Sequence, residues 1–297
     1  MKTILYVEQN YDGTVGGSHY CLLHLIKKLD RKKYKPLVAF YEDNSLIGEF
    51  ERLCNTVVIP LPKYFRIKPK MLQRVLNFFI AVAFVIRSIR FLRNNKVDLV
   101  HLNNAVMVGY DSWLLASFIL HVPCITHDRS YTRLPTGWLF NRLRNRYRKV
   151  LAVSDVVREN IVTQGVNGDC VLTVYDGIDA AEYSARVKRK KSEVRDQFNI
   201  SSSTYVIGVV GNIREWKGQE LLIESLRLLK HDVPDFICIL VGDVSKDSTV
   251  DVEYKQRLDR KIIQYGLSDR IVFTGYRSDV PDLLNIFDVQ VNASISP

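Results

Sequence analysis

Short runs of β-branched and aliphatic residues alternate with longer stretches of helical periodicity along nearly all of this 297-residue chain. In the first half Thr3 to Val7, Lys35 to Tyr41, Thr56 to Ile59, Asp98 to Asn103, Cys124 to His127, Val150 to Ser154 and Val171 to Tyr175 read as strands. Helices fit Ser18 to Leu29, with Ser18 as cap, and stretches near 71–94, 109–119, 137–148 and 155–164. The rhythm repeats with strands at Val206 to Val210, Phe236 to Val241, Ile271 to Phe273 and Val289 to Val291, and helices at 218–230, 253–265 and 280–287. Strands separated by helices pair in parallel, so the fold class is α/β, with helices on both faces of doubly wound sheets. The chain turns polar and basic through Arg186-Val187-Lys188-Arg189-Lys190-Lys191. This predicts a first domain over 1–180, a linker over 181–203 and a second domain over 204–297. At about 95 residues the last is small for this architecture, and it stops at the tip of a strand, so it is expected to be incomplete.

Two strand-to-helix turns look ready for an anion. In the second half, Gly211-Asn212-Ile213-Arg214-Glu215-Trp216-Lys217-Gly218 follows an apolar run and delivers Lys217 to a helix start. The positive end of the helix dipole disfavours a cation there unless an anion lies between them. A solvated lysine on an ordinary loop is the competing reading. In the first half, Gly16-Gly17 before Ser18 would let a ligand approach the backbone closely, or would simply make a tight turn. Five scattered cysteines without a C-x-x-C pair, and six histidines without ligand spacing, predict neither disulfides nor a metal site. The N-terminus does not read as a signal peptide, and no uninterrupted apolar run reaches the length of a membrane span, which together predict a cytoplasmic location.

The net charge of +10 has a concentrated source. Residues 52–97 hold ten basic residues and no Asp or Glu, and within them lies the apolar run Phe78 to Ile86. Basic flanks around such a helix predict docking on an anionic membrane through residues 63–93. A core helix with a solvated basic rim is the competing reading. Further basic runs at Arg142 to Lys149 and Arg186 to Lys191 lack aromatic stacking partners, so no nucleic-acid partner is expected.

Gly16-Gly17, Val100-His101-Leu102-Asn103, Thr126-His127-Asp128, Val153-Ser154, Asp176-Gly177-Ile178-Asp179, Gly211 to Gly218, Val241-Gly242-Asp243 and Val272-Phe273-Thr274-Gly275-Tyr276 follow one another in that order. Taken together the chain resembles the retaining GT-B glycosyltransferases of family 4, over essentially its whole length. The resemblance implies two Rossmann-like domains facing across a cleft that holds a nucleotide-diphosphate sugar, which serves as donor substrate with no cofactor and no metal. It implies catalytic roles for Lys217, on the donor diphosphate, and His127, near the reacting sugar. It implies substrate-binding roles for Gly16, Gly17, Asn212, Arg214, Gly275 and Tyr276. The arginine the family usually carries ahead of the lysine is replaced here by Asn212, with Arg214 close enough to supply the charge. A pair of glutamates around a Gly-rich loop, expected after a strand such as Val289 to Ser294, does not occur before Pro297. The acceptor is then a saccharide or a lipid-linked saccharide, chosen by loops around Gly13, Arg129 and Arg133. The alternatives are a fragment that binds without reacting, and a nicotinamide-dependent oxidoreductase with two Rossmann halves. The missing G-x-G-x-x-G spacing disfavours the latter.

Overall fold

Parallel pairing throughout decides where the polar loops gather. A computed structural model of the protein describes residues 1–10, 15–104, 111–131, 133–244 and 248–295. Two compact units follow one another, Met1–Gly177 and Ile178–Pro297.

The first unit runs β1 (Lys2–Glu8), α1 (Gly17–Lys28), β2 (Tyr34–Phe40), α2 (Ile47–Glu51), β3 (Asn55–Val58), α3 (Lys70–Asn94), β4 (Leu99–Asn104), α4 (Ser112–Leu120), β5 (Cys124–Asp128), α5 (Trp138–Arg144), β6 (Lys149–Ala152), α6 (Asp155–Thr163) and β7 (Val171–Thr173). Its sheet has the order β3-β2-β1-β4-β5-β6-β7, all parallel. That is a Rossmann-like order, whose direction reverses between β1 and β4. Strands buried on both faces explain the unbroken apolar runs. Leu5, Val7, Val100, Leu102 and Val150 point into one core cluster, while Ile4, Tyr6, Val38 and Phe40 point into another against Leu22 and Ile26 of α1.

The second unit runs α7 (Ala180–Ser184), α8 (Lys191–Gln197), β8 (Tyr205–Val210), α9 (Gln219–Leu229), β9 (Phe236–Val241), α10 (Thr249–Gln264), β10 (Ile271–Gly275), α11 (Val280–Leu284) and β11 (Val289–Gln290). Its parallel sheet has the order β10-β9-β8-β11, with the reversal between β8 and β11. Leu222, Ile223 and Leu226 of α9 and Tyr254, Leu258 and Ile262 of α10 recur at helical spacing and cover one face.

Several expectations change. The stretch 181–203 is no free linker, because α7 and α8 belong to the second unit and Val194 is fully buried there beside Leu283 and Ile286. Asp282 clamps it by accepting the Lys188 and Arg189 amides at 2.6 and 3.2 Å, so its basic run is anchored by an acid. Ser18 does not cap α1. Gly16 holds the cap position with φ −122°, and the Ser18 hydroxyl is buried and donates to Glu8 Oε1 at 3.0 Å. The helix expected over 137–148 stops at Arg144, whose guanidinium is buried and donates to the carbonyls of Gln164 and Pro135. Finally, α3 is, among the described residues, long and apolar enough by length and composition to cross a membrane. Counting only the unbroken run Phe78 to Ile86 missed this, since apolar residues continue past the single arginines on either side.

Candidate active site

In sheets of this kind polar loops meet ligands beyond the carboxyl ends of the strands, at the reversal of strand order. In the first unit that place is the β1/β4 boundary. Glu8 of β1, Asn103 of β4 and His127 of β5 are register partners and form one row across three strands. Asn103 Nδ2 donates to Glu8 Oε2 at 2.5 Å, and Arg129 Nη1 donates to Asn103 Oδ1 at 2.6 Å. Arg129 also grips Asp176 in a two-pronged contact, Nε to Oδ2 at 3.0 Å and Nη2 to Oδ1 at 2.9 Å. Burial is the largest single influence on Asp176 and opposes its charge, but the hydrogen bonds and charge of Arg129, with smaller help from Cys21 and His127, together hold the carboxyl below its usual range.

Arg129 Nη2 lies 3.1 Å from His127 Nδ1. A guanidinium only donates, so Nδ1 accepts and the ring hydrogen belongs on Nε2. Nε2 is buried and makes no hydrogen bond within 3.5 Å among the described residues, the Val174 backbone being near enough only to favour the charged ring slightly. Burial first, and then the Arg129 charge, lower the His127 pKa to about 4, so the imidazole is neutral. Its neighbour His101, stacked at 6.1 Å, is lowered to about 3 by burial and is neutral too. The result is a neutral N–H donor at the tip of β5, with a fixed tautomer. Gly16 and Gly17 join this edge through Ser18, whose carbonyl accepts from Asn103 at 3.2 Å. An added Cβ at either glycine meets no atom within 4 Å, and neither has a positive φ, so nothing inside the described residues requires glycine there. Arg133 is exposed, and Gly13 lies outside the described residues.

In the second unit the loops after all four strands converge. An added Cβ at Gly242, after β9, would overlap the Gly211 carbonyl, and the Gly242 amide donates to the Gly275 carbonyl at 3.0 Å. Gly218, with φ +68°, lies against Ala293, and the Ile295 amide donates to the Trp216 carbonyl at 2.9 Å. Tyr276 is exposed beside this cluster. Asn212 is also exposed, its carbonyl accepting from Gln219 Nε2 at 2.9 Å.

Lys217 is placed differently from expectation. It ends a 3-10 turn, Glu215–Lys217, and Gly218 separates it from α9, so it precedes the helix instead of standing in its first turn. The Glu220 amide at the start of α9 is already held by Tyr254 Oη at 3.0 Å. The lysine folds back over the tip of β8, with Cδ and Cε 4.0 Å from a Cβ placed on Gly211 and Nζ 4.1 Å above the Trp216 ring. It is half-buried, and among the described residues no carboxylate pairs with it. Burial and then the nearby Arg214 charge lower its pKa. Arg214 leans towards Asp251, with its Nε 3.5 Å from Oδ2 but, among the described residues, no hydrogen bond at that nitrogen. The loop thus carries two cations, of which only Arg214 approaches a carboxylate among the described residues.

Comparison with known proteins decides the family. The model of Glycosyltransferase Family 4 matches residues 15–182, more than half of the chain. The chain belongs to glycosyltransferase family 4. Residues 190–296 match the companion model, Glycosyl transferases group 1. Among relatives of this family 4 chain, a lipopolysaccharide core biosynthesis mannosyltransferase of Rhizobium meliloti is 25% identical over 40% of the chain and 32% of its own length. A UDP-Gal:alpha-D-GlcNAc-diphosphoundecaprenol alpha-1,3-galactosyltransferase of Escherichia coli is 20% identical over 69% of the chain and 54% of its own length. The matches thus span at most about half of these two relatives. The solved structure of Anabaena HepE, in complex with UDP, superposes with a TM-score of 0.75 at 24% identity, over 100% of the chain and 75% of that structure.

Sequence reasoning passed over Glu8, Asn103 and Arg129 as a connected set. A charged residue ending the apolar run Ile4 to Val7 was the available signal.

Proposed function

We propose that this chain carries the sugar-transfer chemistry of its family: transfer from a nucleotide-diphosphate sugar to a saccharide or lipid-linked acceptor, with retention of configuration, in the synthesis of cell-surface polysaccharide or glycolipid. The observation that carries this reading is Lys217, half-buried at the tip of β8 without a carboxylate partner among the described residues. As the bond to the leaving diphosphate lengthens, negative charge grows on its oxygens. A fixed ammonium next to a guanidinium stabilises that charge most where it is greatest, in the transition state. Gly275 and Tyr276 would border the nucleotide on the same strand tips, and the exposed Asn212 would offer it amide contacts.

In the first unit His127 Nε2–H would donate to a hydroxyl of the reacting sugar, a role that needs the neutral ring that burial and then Arg129 enforce. Gly16 and Gly17 would admit the substrate against the backbone. The reading is supported by relatives whose names specify mannosyl and galactosyl transfer and by a structural neighbour solved with UDP. It puts the protein in the cytoplasm at the membrane's inner face.

The test is turnover of uridine- and guanosine-diphosphate sugars with a lipid-linked saccharide acceptor, with the anomeric proton of the product read by NMR. Product with the donor's anomeric configuration is expected. Inverted product contradicts retention, and absence of turnover with intact nucleotide binding makes the chain a binding remnant.

A further inference from the structure

We propose that α3 docks flat on an anionic lipid bilayer through the face it turns away from the fold. Only Phe84, Ser88 and Leu92 of its 25 residues are buried. They recur every fourth residue and seat the helix on α4, where Ser88 Oγ donates to Ser112 Oγ at 3.4 Å and Phe91 meets Trp113 edge-on at 5.6 Å. Met71, Val75, Phe78, Phe79, Val82 and Ile86 are all exposed, Phe78 by 64% and Phe79 by 62%. At 3.6 residues per turn these six project within an arc of about 100°, centred about 130° from the buried row. The core of the unit therefore uses one side of α3, and a second apolar side is left in solvent. That disposes of the core-helix reading.

Charge selects the occupant. Exposed Arg74 borders this stripe on one side and exposed Arg87 and Arg90 on the other, and no acidic residue occurs anywhere over 52–97. A second copy would bring the same basic face against its own. An anionic headgroup layer complements it, accepting the arginines while the two phenylalanines enter the acyl boundary. Lying flat also keeps Phe84 and Leu92 packed. A transmembrane setting would strip them from α4 and carry Arg87 and Arg90 towards the hydrocarbon. The Asn77 amide side chain bonds both the amide and the carbonyl of Phe65, at 2.9 and 3.1 Å, so the basic segment leading into α3 is tied to it.

This inference does not depend on the donor chemistry, and nucleotide binding measured in parallel keeps the two apart. The test is flotation of the full chain with vesicles of equal parts phosphatidylglycerol and phosphatidylethanolamine, and with vesicles of phosphatidylcholine alone. Binding to the first and not the second is expected, with release at high salt. Phe78→Glu with Phe79→Glu should lower the partition at least about tenfold, and Arg74→Glu with Arg87→Glu at least about thirtyfold. Thermal melts should match the parent, because all four side chains are exposed. Equal binding to both vesicles overturns the proposal, as does retention at high salt, which marks insertion. Parent-like partition of folded variants overturns it too, as does a dimer in solution that the phenylalanine variant dissolves. If a variant does not fold, the dependence of the parent on headgroup charge and salt still decides.

Discussion

Arg129 donates to His127 Nδ1 across 3.1 Å, while its other nitrogens are held by Asn103 and Asp176. One guanidinium thereby fixes the tautomer and the orientation of a ring that stands in register with Glu8 and Asn103 at the reversal point of the first sheet, and adds to burial in keeping it neutral.

The histidine should therefore be visible as the Nε2–H tautomer in nitrogen-15 NMR of the free protein, and should remain neutral at pH values where an ordinary histidine is charged. Arg129→Met should release the tautomer, raise the His127 pKa and lower kcat by about ten- to a hundredfold, with a smaller change in donor KM. An unchanged histidine spectrum in that variant would show that the contact does not set the ring.

Glu8 is fully buried, and burial is the largest influence raising its pKa from 4.5 to about 7. A folded-state pKa above the unfolded one gives stability that is complete below about pH 4.5 and is lost as pH rises through about 7. Glu8→Gln should therefore gain about 3 kcal/mol relative to the parent between about pH 5 and pH 8. Chemical denaturation at both pH values measures it, and parallel profiles would place the Glu8 pKa at its ordinary value.

Gly218 and Gly16 should respond oppositely to alanine. At Gly218 the left-handed backbone and the Ala293 carbonyl both oppose a side chain, so Gly218→Ala should cost at least about 2 kcal/mol. At Gly16 the backbone is ordinary and the space is open, so Gly16→Ala should change stability by less than about 1 kcal/mol while impairing turnover. Melting temperatures and transfer assays on both variants separate a structural glycine from one that faces a ligand.

The alternation of apolar runs and helical periods was enough to read the parallel sheets, because strands buried on both faces leave an unbroken aliphatic signature. His127 was legible as a candidate from motif order, and Lys217 from its place after a strand-to-helix turn as well. What stayed hidden depends on contacts distant in sequence. Glu8 and Asn103 meet through strand register, Ser18 turns from capping to a buried carboxylate, and Arg214 leans to Asp251 instead of aligning with Lys217. The basic run at 186–191 read as a linker because charge suggests solvent, whereas Asp279 and Asp282 neutralise Arg189 from 90 and 93 residues away.

If Lys217 holds the diphosphate of a nucleotide, calorimetric titration of UDP and GDP into the parent chain and into Lys217→Ala will register it. One of the two nucleotides should bind the parent and lose about ten- to a hundredfold in affinity in the variant, at an unchanged melting temperature. Equal affinity in parent and variant, or no binding of either nucleotide to the parent, would rule out a diphosphate at Lys217.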